Sequence, residues 1–329
     1  MIPASPRWKR RPAGSNWGDF GPDDRLGRLN LITPARRRAA IAEAREGIAF
    51  CLSLPLDVGS GLSPRRKPPS LFAAQTDGQP VFNYPFCRQH AGLTDVICDD
   101  AVTLYTQYST QWDSFSHVGS LFDADDDGEP EPRYYNGFPA TAPGESPLGL
   151  DAMAATGVQG RGVMVDLHRH FGNARVAVGW EKLDSVMRAD GLRVEEGDIL
   201  CLHTGFAQRL LEMDRSLDLG VLRQTGAVLD GNDARLLDWI RDAGVVAIVA
   251  DNHAVEARPL EPLPGYRGPL MPLHEHCLFK LGIPLGELWH LTPLARWLFE
   301  RRRHRFLLTA PPLRLPGAVG SPVSPVATV

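Results

Sequence analysis

The spacing of apolar residues changes period several times along the chain, and each change marks a strand or a helix. RGVMVDLHRH is continuously apolar at its centre, the pattern of a strand covered on both faces, and DILCLHTGF and VVAIVADN read the same way. Between them, WEKLDSVMRADG and ARLLDWIRDAG place apolar residues three and four apart and stop at glycine, which predicts amphipathic helices. Upstream, Thr33 can cap and Pro34 can open a helix through ARRRAAIAEAREG, and IAFCLSLPLD then reads as a strand. LTDVICDDAVTLYTQYSTQWDSFSH predicts two short strands ending in an unusual polar segment. Late in the chain PLHEHCLFKLG predicts a helix, and IPLGELW and HRFLLTAPP predict strands. Buried strands alternating with helices make this an α/β chain.

The remaining segments have no period. Val58 to Pro85 is rich in Gly, Pro, Ser and Arg and predicts a long surface loop, a kind usually tied to function or motion. In DADDDGEPEPRYYNGF the alternating Asp123, Asp125 and Asp127 resemble a calcium loop only superficially, because the glycine and distal glutamate fall at the wrong offsets; a solvated loop is the reading. Residues 1–15 are basic and Pro-rich and are expected as a loose arm, and no boundary divides 16–329, which is read as one domain.

Composition narrows the function. With 32 glycines and 28 prolines the chain is loop-rich, and a net charge of −4 argues against nucleic-acid or anionic-membrane partners. No apolar run approaches the roughly 20 residues of a membrane span, and no apolar stretch follows the basic start as in a secretory signal. Five scattered cysteines without a CxxC pair suggest reduced thiols and a cytoplasmic protein. The chain has no GxSxG elbow, Walker A loop or dinucleotide fingerprint.

Three polar groupings fall at predicted strand ends, where α/β proteins place their sites. They are Asp113 with His117; Asp251, Asn252, His253 and Glu256; and His274 and His276 with Glu287. Taken singly, each has a structural reading as a turn former, a satisfied histidine or a surface charge, and Trp112 and Phe115 read as core aromatics. His168 and His170, two apart on a predicted strand, would share one face. Taken together, Asp, His and Glu without thiolates form a donor set that suits a catalytic divalent ion with an open water position.

QYSTQWDSFSH resembles the HxGTHxDxPxH signature of the cyclase family, the superfamily of bacterial kynurenine formamidase and isatin hydrolase. PLHEHCLFKLGIPLGE resembles the family's later histidine-to-glutamate segment. NWGDFGPDDRLGRLNLITP, ADNHAVEARP and APPLRLPGAVGSPVSP are similar to segments of its longer bacterial members, so the resemblance runs from about Asn16 to about Val326. It implies a mixed, barrel-like β-sheet flanked by helices (the swivelling β/β/α type) and a homo-oligomer.

Carried over residue by residue, Asp113, His274 and Glu287 match the family's shared metal ligands, and His117 matches its acid–base histidine. Gln107 and Gln111 stand where the signature has its first two histidines, Phe115 at its proline and Ser109 at its glycine. A Gln carbonyl is a weaker donor to zinc than imidazole, so one divalent ion, Zn or Mn, is expected on Asp113, His274 and Glu287. Gln107 and Gln111 would orient water or the substrate carbonyl, with Trp112, Asp251, Asn252, Glu256 and His276 lining the substrate pocket. The resemblance implies an arylformamidase-like hydrolase of a small amide, formamide, lactam or lactone, working through a metal-activated water. Two alternatives stay open: a metal-free cyclase or lyase on a small carbonyl substrate, and a non-catalytic small-molecule-binding relative.

Overall fold

The computed structural model describes residues 7–59, 62–213, 217–257 and 265–329. Its centre is a curled, half-barrel sheet of nine strands: β1 (Ala49–Cys51), β2 (Gln111–Asp113), β3 (Gln159–Asp166), β4 (Asp198–His203), β5 (Ala247–Ala250), β6 (Leu285–Glu287), β7 (Arg305–Thr309), β8 (Gly320–Pro322) and β9 (Val326–Thr328). Their spatial order is β1-β9-β7-β3-β4-β5-β6-β2-β8. The middle strands β3 to β6 run parallel, and the flanking pairs are antiparallel. This is the expected mixed sheet flanked by helices.

Period-2 alternation divides the apolar residues of the parallel strands between two cores. Val163, Val165, Leu200, Leu202, Ile248 and Ala250 face one side, where they pack with helices α3 (Trp180–Ala189) and α5 (Ala234–Asp242), between which α4 (Phe206–Met213) lies in the chain, through Leu183, Val186, Leu236 and Ile240. Met164, Ile199, Cys201, Ala247 and Val249 face the other, packing with Leu294 and Leu298 of α6 (Thr292–Glu300) and with Trp112 and Trp289. Both faces are covered, which is why these strands read as continuous apolar runs rather than alternating ones.

The N-terminal part closes one face. Residues 1–6 of the expected arm lie outside the described residues, and from there Trp8 is buried edge-on against Trp17, with ring centroids 5.8 Å apart. Trp17 Nε1 donates to Phe279 O at 2.7 Å, Asn16 Nδ2 donates to Leu281 O at 2.9 Å, and Arg28 N donates to Gly282 O at 2.8 Å. Gly27 and Gly282 meet backbone to backbone, both with positive φ, and a Cβ on Gly27 would overlap the Gly282 carbonyl.

Three expectations change. The helix from Thr33 is the shorter α1 (Pro34–Ile41), because its Arg-rich sequence buries only Ala40 and packing gives it no reason to continue. His168 and His170 do not share a strand face: Asp166 ends β3 by capping helix α2 (Leu167–Phe171), its side chain accepting from Arg169 N. The loop from Val58 to Pro85 contains short strands. Ser70–Ala73 pairs with Asp100–Thr103 and Tyr84–Pro85 with Val96–Ile97, building a mostly exposed β-arm. None of the helices among the described residues is long and apolar enough to cross a membrane.

Candidate metal and acid–base site

Strand pairing assembles the site. In the antiparallel register of β2 with β6, Asp113 lies opposite Leu285 and Gln111 opposite Glu287, which puts Gln111, Asp113 and Glu287 on one face. Trp112 and Gly286 point to the opposite face, so the expected pocket role of Trp112 does not hold. Its ring is wholly buried edge-on to Trp289, and Nε1 donates to Ala310 O at 2.8 Å. Glu287 ends β6, and the left-handed backbone of Leu288 (φ 57°) turns the chain there, with Leu288 N donating to Asn252 O at 3.1 Å.

His274 arrives from the other side. It lies in a single helical turn, Pro272–His274, that widens into a π-helix, Glu275–Leu281, a form frequent at functional sites. Glu256 fixes its orientation. One carboxylate oxygen accepts from His274 N at 2.9 Å and lies 2.7 Å from His274 Nδ1, and the other accepts from Leu273 N at 3.0 Å. To reach back this far, the chain passes through Ala254 (φ 80°) and Val255 (φ 55°), both in the left-handed region. With Nδ1 committed to Glu256, His274 presents Nε2 inward, 3.3 Å from Glu287 Oε1. Glu256 therefore orients His274 rather than lining a pocket.

Donor atoms of Asp113, His274 and Glu287 all lie within 4.8 Å of one another, and the three residues are buried. Asp113 Oδ2 is buried without a hydrogen-bond partner. The Gln107 amide hydrogen-bonds Asp113 Oδ1 and lies 2.9 Å from His117 Nδ1. His117 Nε2, 4.0 Å from Asp113 Oδ1, is left as the nitrogen facing the cluster. Gly320 makes room for this, since a Cβ there would overlap the Gln107 side chain.

Charge is divided unevenly in the cluster. Burial alone would raise the Glu287 carboxyl, but the hydrogen bond from His274 and the charges of His253, His274 and Arg66 outweigh it and hold it at about 2. Burial alone would lower His274, but Glu256 and Glu287 push it up to about 10. For Asp113, burial and the neighbouring Glu287 charge raise the pKa, and His117, His274 and Gln107 offset this only in part. Glu287 is thereby favoured as a carboxylate and Asp113 disfavoured as one, and His274 holds its proton until a cation displaces it. A divalent cation fits this set: the carboxylates and imidazole converge, one buried oxygen has no partner, and the histidine is held by a carboxylate as metal-binding histidines commonly are.

Three other expected pocket residues lie elsewhere. Asp251 accepts from Thr204 N, Thr204 Oγ1 and Gly205 N at 2.6–2.8 Å. Asn252 Nδ2 donates to Ala227 O at 2.8 Å. His276 is turned to the backbone of Leu237, and burial drops its pKa to about 4. Residue-level reading missed Arg66, whose guanidinium donates to Gln107 O and whose charge reaches Glu287. It left the neighbouring His253 without a role, although that charge also acts on Glu287. Arg66 sits in an aperiodic Pro- and Arg-rich loop, where no local pattern marks one arginine over its neighbours.

The Cyclase family model matches residues 50–257. A solved structure described as a novel cyclase is 29% identical, with a TM-score of 0.78, covering 96% of this chain and 97% of that one. Isatin hydrolase A from Labrenzia aggregata, solved with benzyl benzoate, is similar in fold at 12% identity and a TM-score of 0.55, covering 91% of this chain and 98% of its own. The isatin hydrolase A of Ralstonia solanacearum is comparable, at 13% identity and a TM-score of 0.55, covering 90% and 97%. Among curated proteins none matches. The family match spans more than half of the chain and contains Gln107, Gln111, Asp113, His117 and Glu256; this protein belongs to the cyclase family.

Proposed function

We propose that the protein is a hydrolase of the C–N or C–O bond of a small amide, formamide, lactam or lactone, with His117 as its acid–base residue. The observation that carries this reading is the position of His117 Nε2, 4.0 Å from a buried carboxyl inside a cluster able to hold a cation. Asp113, His274 and Glu287 would hold one divalent ion, Zn or Mn, whose chemistry is Lewis acidity toward a carbonyl and toward water. Gln107 ties His117 to Asp113 and keeps the imidazole aimed at the cluster. With the Gln107 amide turned so that its oxygen accepts from His117 Nδ1–H, Nε2 would take a proton from the attacking water and return it to the leaving nitrogen or oxygen. Arg66 and His253 place positive charge beside Glu287, suited to a substrate that gains negative charge as its carbonyl is attacked. The family's isatin hydrolases, whose fold this chain shares, make a cyclic amide a suitable first substrate, and formamides the second.

Metal content by elemental analysis, beside His117→Ala and Asp113→Ala, tests the reading. One equivalent of ion in the wild type, lost in Asp113→Ala, is expected, and His117→Ala should lower kcat by about 10²–10⁴-fold with the ion retained. Near-normal turnover in His117→Ala overturns the assignment. A metal-free cyclase or lyase is the second reading, supported by the 3.3 Å pairing of His274 with Glu287, which balances charge without an ion. Turnover by ion-free protein would select it.

The protein is also proposed to be cytoplasmic, in keeping with exposed free thiols at Cys51, Cys87 and Cys98, and to work as a homo-oligomer.

A further inference from the structure

We propose that a cavity away from the metal cluster is a second ligand site, built for a small monocarboxylate whose charge meets Arg296 and whose apolar body lies along Phe299. The cavity shares no residue with the cluster, and its ligand does not depend on the proposed hydrolysis.

The cavity has a volume of about 340 Å³, at the lower end of the range for small-molecule sites. It lies at the carboxyl ends of β3 and β4, whose last residues, Asp166 and His203, line it. Ligand crevices of open α/β sheets form at such ends. In the sheet, β5 lies between β4 and the strand that carries Glu287. Helices α2, α4 and α6 wall the cavity and bring Arg169, Arg209 and Arg296 to it from three separate stretches of the chain.

The charges around the cavity pair off except for one. Asp190 pairs with Arg169, and Glu212 lies 3.4 Å from Arg209. Asp166 holds His203 Nδ1 at 2.7 Å. Asp251, whose oxygens already accept from Thr204 and Gly205, lies 4.0 Å from His203 Nε2. Arg296 has neither hydrogen bond nor ion pair among the described residues, and its charge acts on His203, Glu212 and His290. A guanidinium without an acceptor in a cavity wall presents a donor fork that fits a carboxylate. One unmatched positive charge suits one negative charge. The carboxylates of Asp166 and Glu212 in the same lining repel a second, which disfavours a phosphate dianion or a dicarboxylate.

Two further features fit the same ligand. His203 Nε2 is 3.0 Å from Thr292 Oγ1. Burial opposes protonation of the His203 ring, but Asp166 and Asp251 outweigh it. A protonated His203 donates to Thr292, which leaves the hydroxyl proton free for a carboxylate oxygen. On the opposite count, Phe299 is 57% exposed, with the Arg169 guanidinium 4.9 Å from its ring centroid. A ring on the ligand would cover this apolar surface.

Isothermal titration of benzoate into the full-length protein as purified tests the proposal. The wild type should bind benzoate, and acetate, which has the charge without the ring, should bind more weakly. Arg296→Gln should weaken benzoate binding by about tenfold or more, as loss of a hydrogen bond to a charged group does. Arg296 is exposed and Gln is a comparable helix former, so the variant keeps the fold. The Arg296-dependent binding should persist in Asp113→Ala and in wild type with a chelator present. Unchanged affinity in Arg296→Gln overturns the inference, as does the absence of binding at millimolar benzoate. Inorganic phosphate or acetate binding as tightly as benzoate overturns the assigned ligand class. Loss of benzoate binding with the chelator present places the ligand in the metal cluster and overturns the second site.

Discussion

Glu256 decides which nitrogen of His274 faces the cluster, because its carboxylate is 2.7 Å from Nδ1 and also accepts two main-chain amides. Glu256→Gln keeps the shape and removes the charge, so it should weaken divalent-ion affinity by about 10–100-fold, as loss of a carboxylate behind a metal-binding histidine does. Calorimetric titration with Zn²⁺ checks this, and unchanged affinity would show that the backbone of the π-helix alone orients the ring. Sequence spacing located this residue but not its task. Asp113, His117, His274 and Glu287 were legible because their residue types and order match a family signature. Trp112 was not, because the residue between two site side chains on a strand must point the other way, and its neighbours do not say which face is the core. Arg66 was not legible because it reaches the site from a loop through the tertiary fold.

Elements were legible where burial imposes a period. Strands β3, β4 and β5 and helices α3 and α5 follow from apolar patterning, whereas the end of β3 depended on a single side chain, Asp166, that caps α2. Asp166 also binds His203 Nδ1 at 2.7 Å, while His203 Nε2 is 3.0 Å from Thr292 Oγ1 at the start of α6. This joins the carboxyl ends of two strands to a helix start. Burial alone would lower the His203 pKa, but Asp166 and Asp251 raise it above 6.5; burial alone would raise that of Asp166, but His203 brings it below 3.8. The His203 contribution to stability is therefore complete below pH 6.5 and lost as pH rises through its elevated folded value. The Asp166 contribution is complete above pH 3.8 and lost as pH falls through its depressed folded value. His203→Gln should destabilise the protein most between about pH 4 and 6.5, with the difference from wild type shrinking at higher pH. Urea unfolding at pH 5, 7 and 9 reads this out, and a pH-independent difference would make the His203 contact one of packing alone.

At the scale of the molecule, the arm between residues 70 and 103 stands apart from both cores. Leu71, Phe72, Val96 and Val102 are each about half exposed or more, an apolar load that a solvated arm does not need. A second copy of the chain is its proposed cover. Replacing Leu71, Phe72 and Val96 by serine should shift the protein toward monomer in sedimentation velocity without lowering its melting temperature. An unchanged sedimentation coefficient would place the oligomer contact elsewhere.

The lacing of residues 16–28 to residues 279–282 also governs how the protein is made. Trp17 and Asn16 leave the ribosome well before their acceptors, Phe279 O and Leu281 O, which lie more than 250 positions downstream. β1 likewise waits for β9. Such distant pairings close late and slowly. Until those acceptors and β9 emerge, the nascent chain holds an indole with no acceptor and a strand with an open edge, both hazards for aggregation. Translation pauses or truncations before residue 279 should therefore leave residues 16–51, rather than the parallel strands at the centre of the sheet, as the segment that chaperones hold.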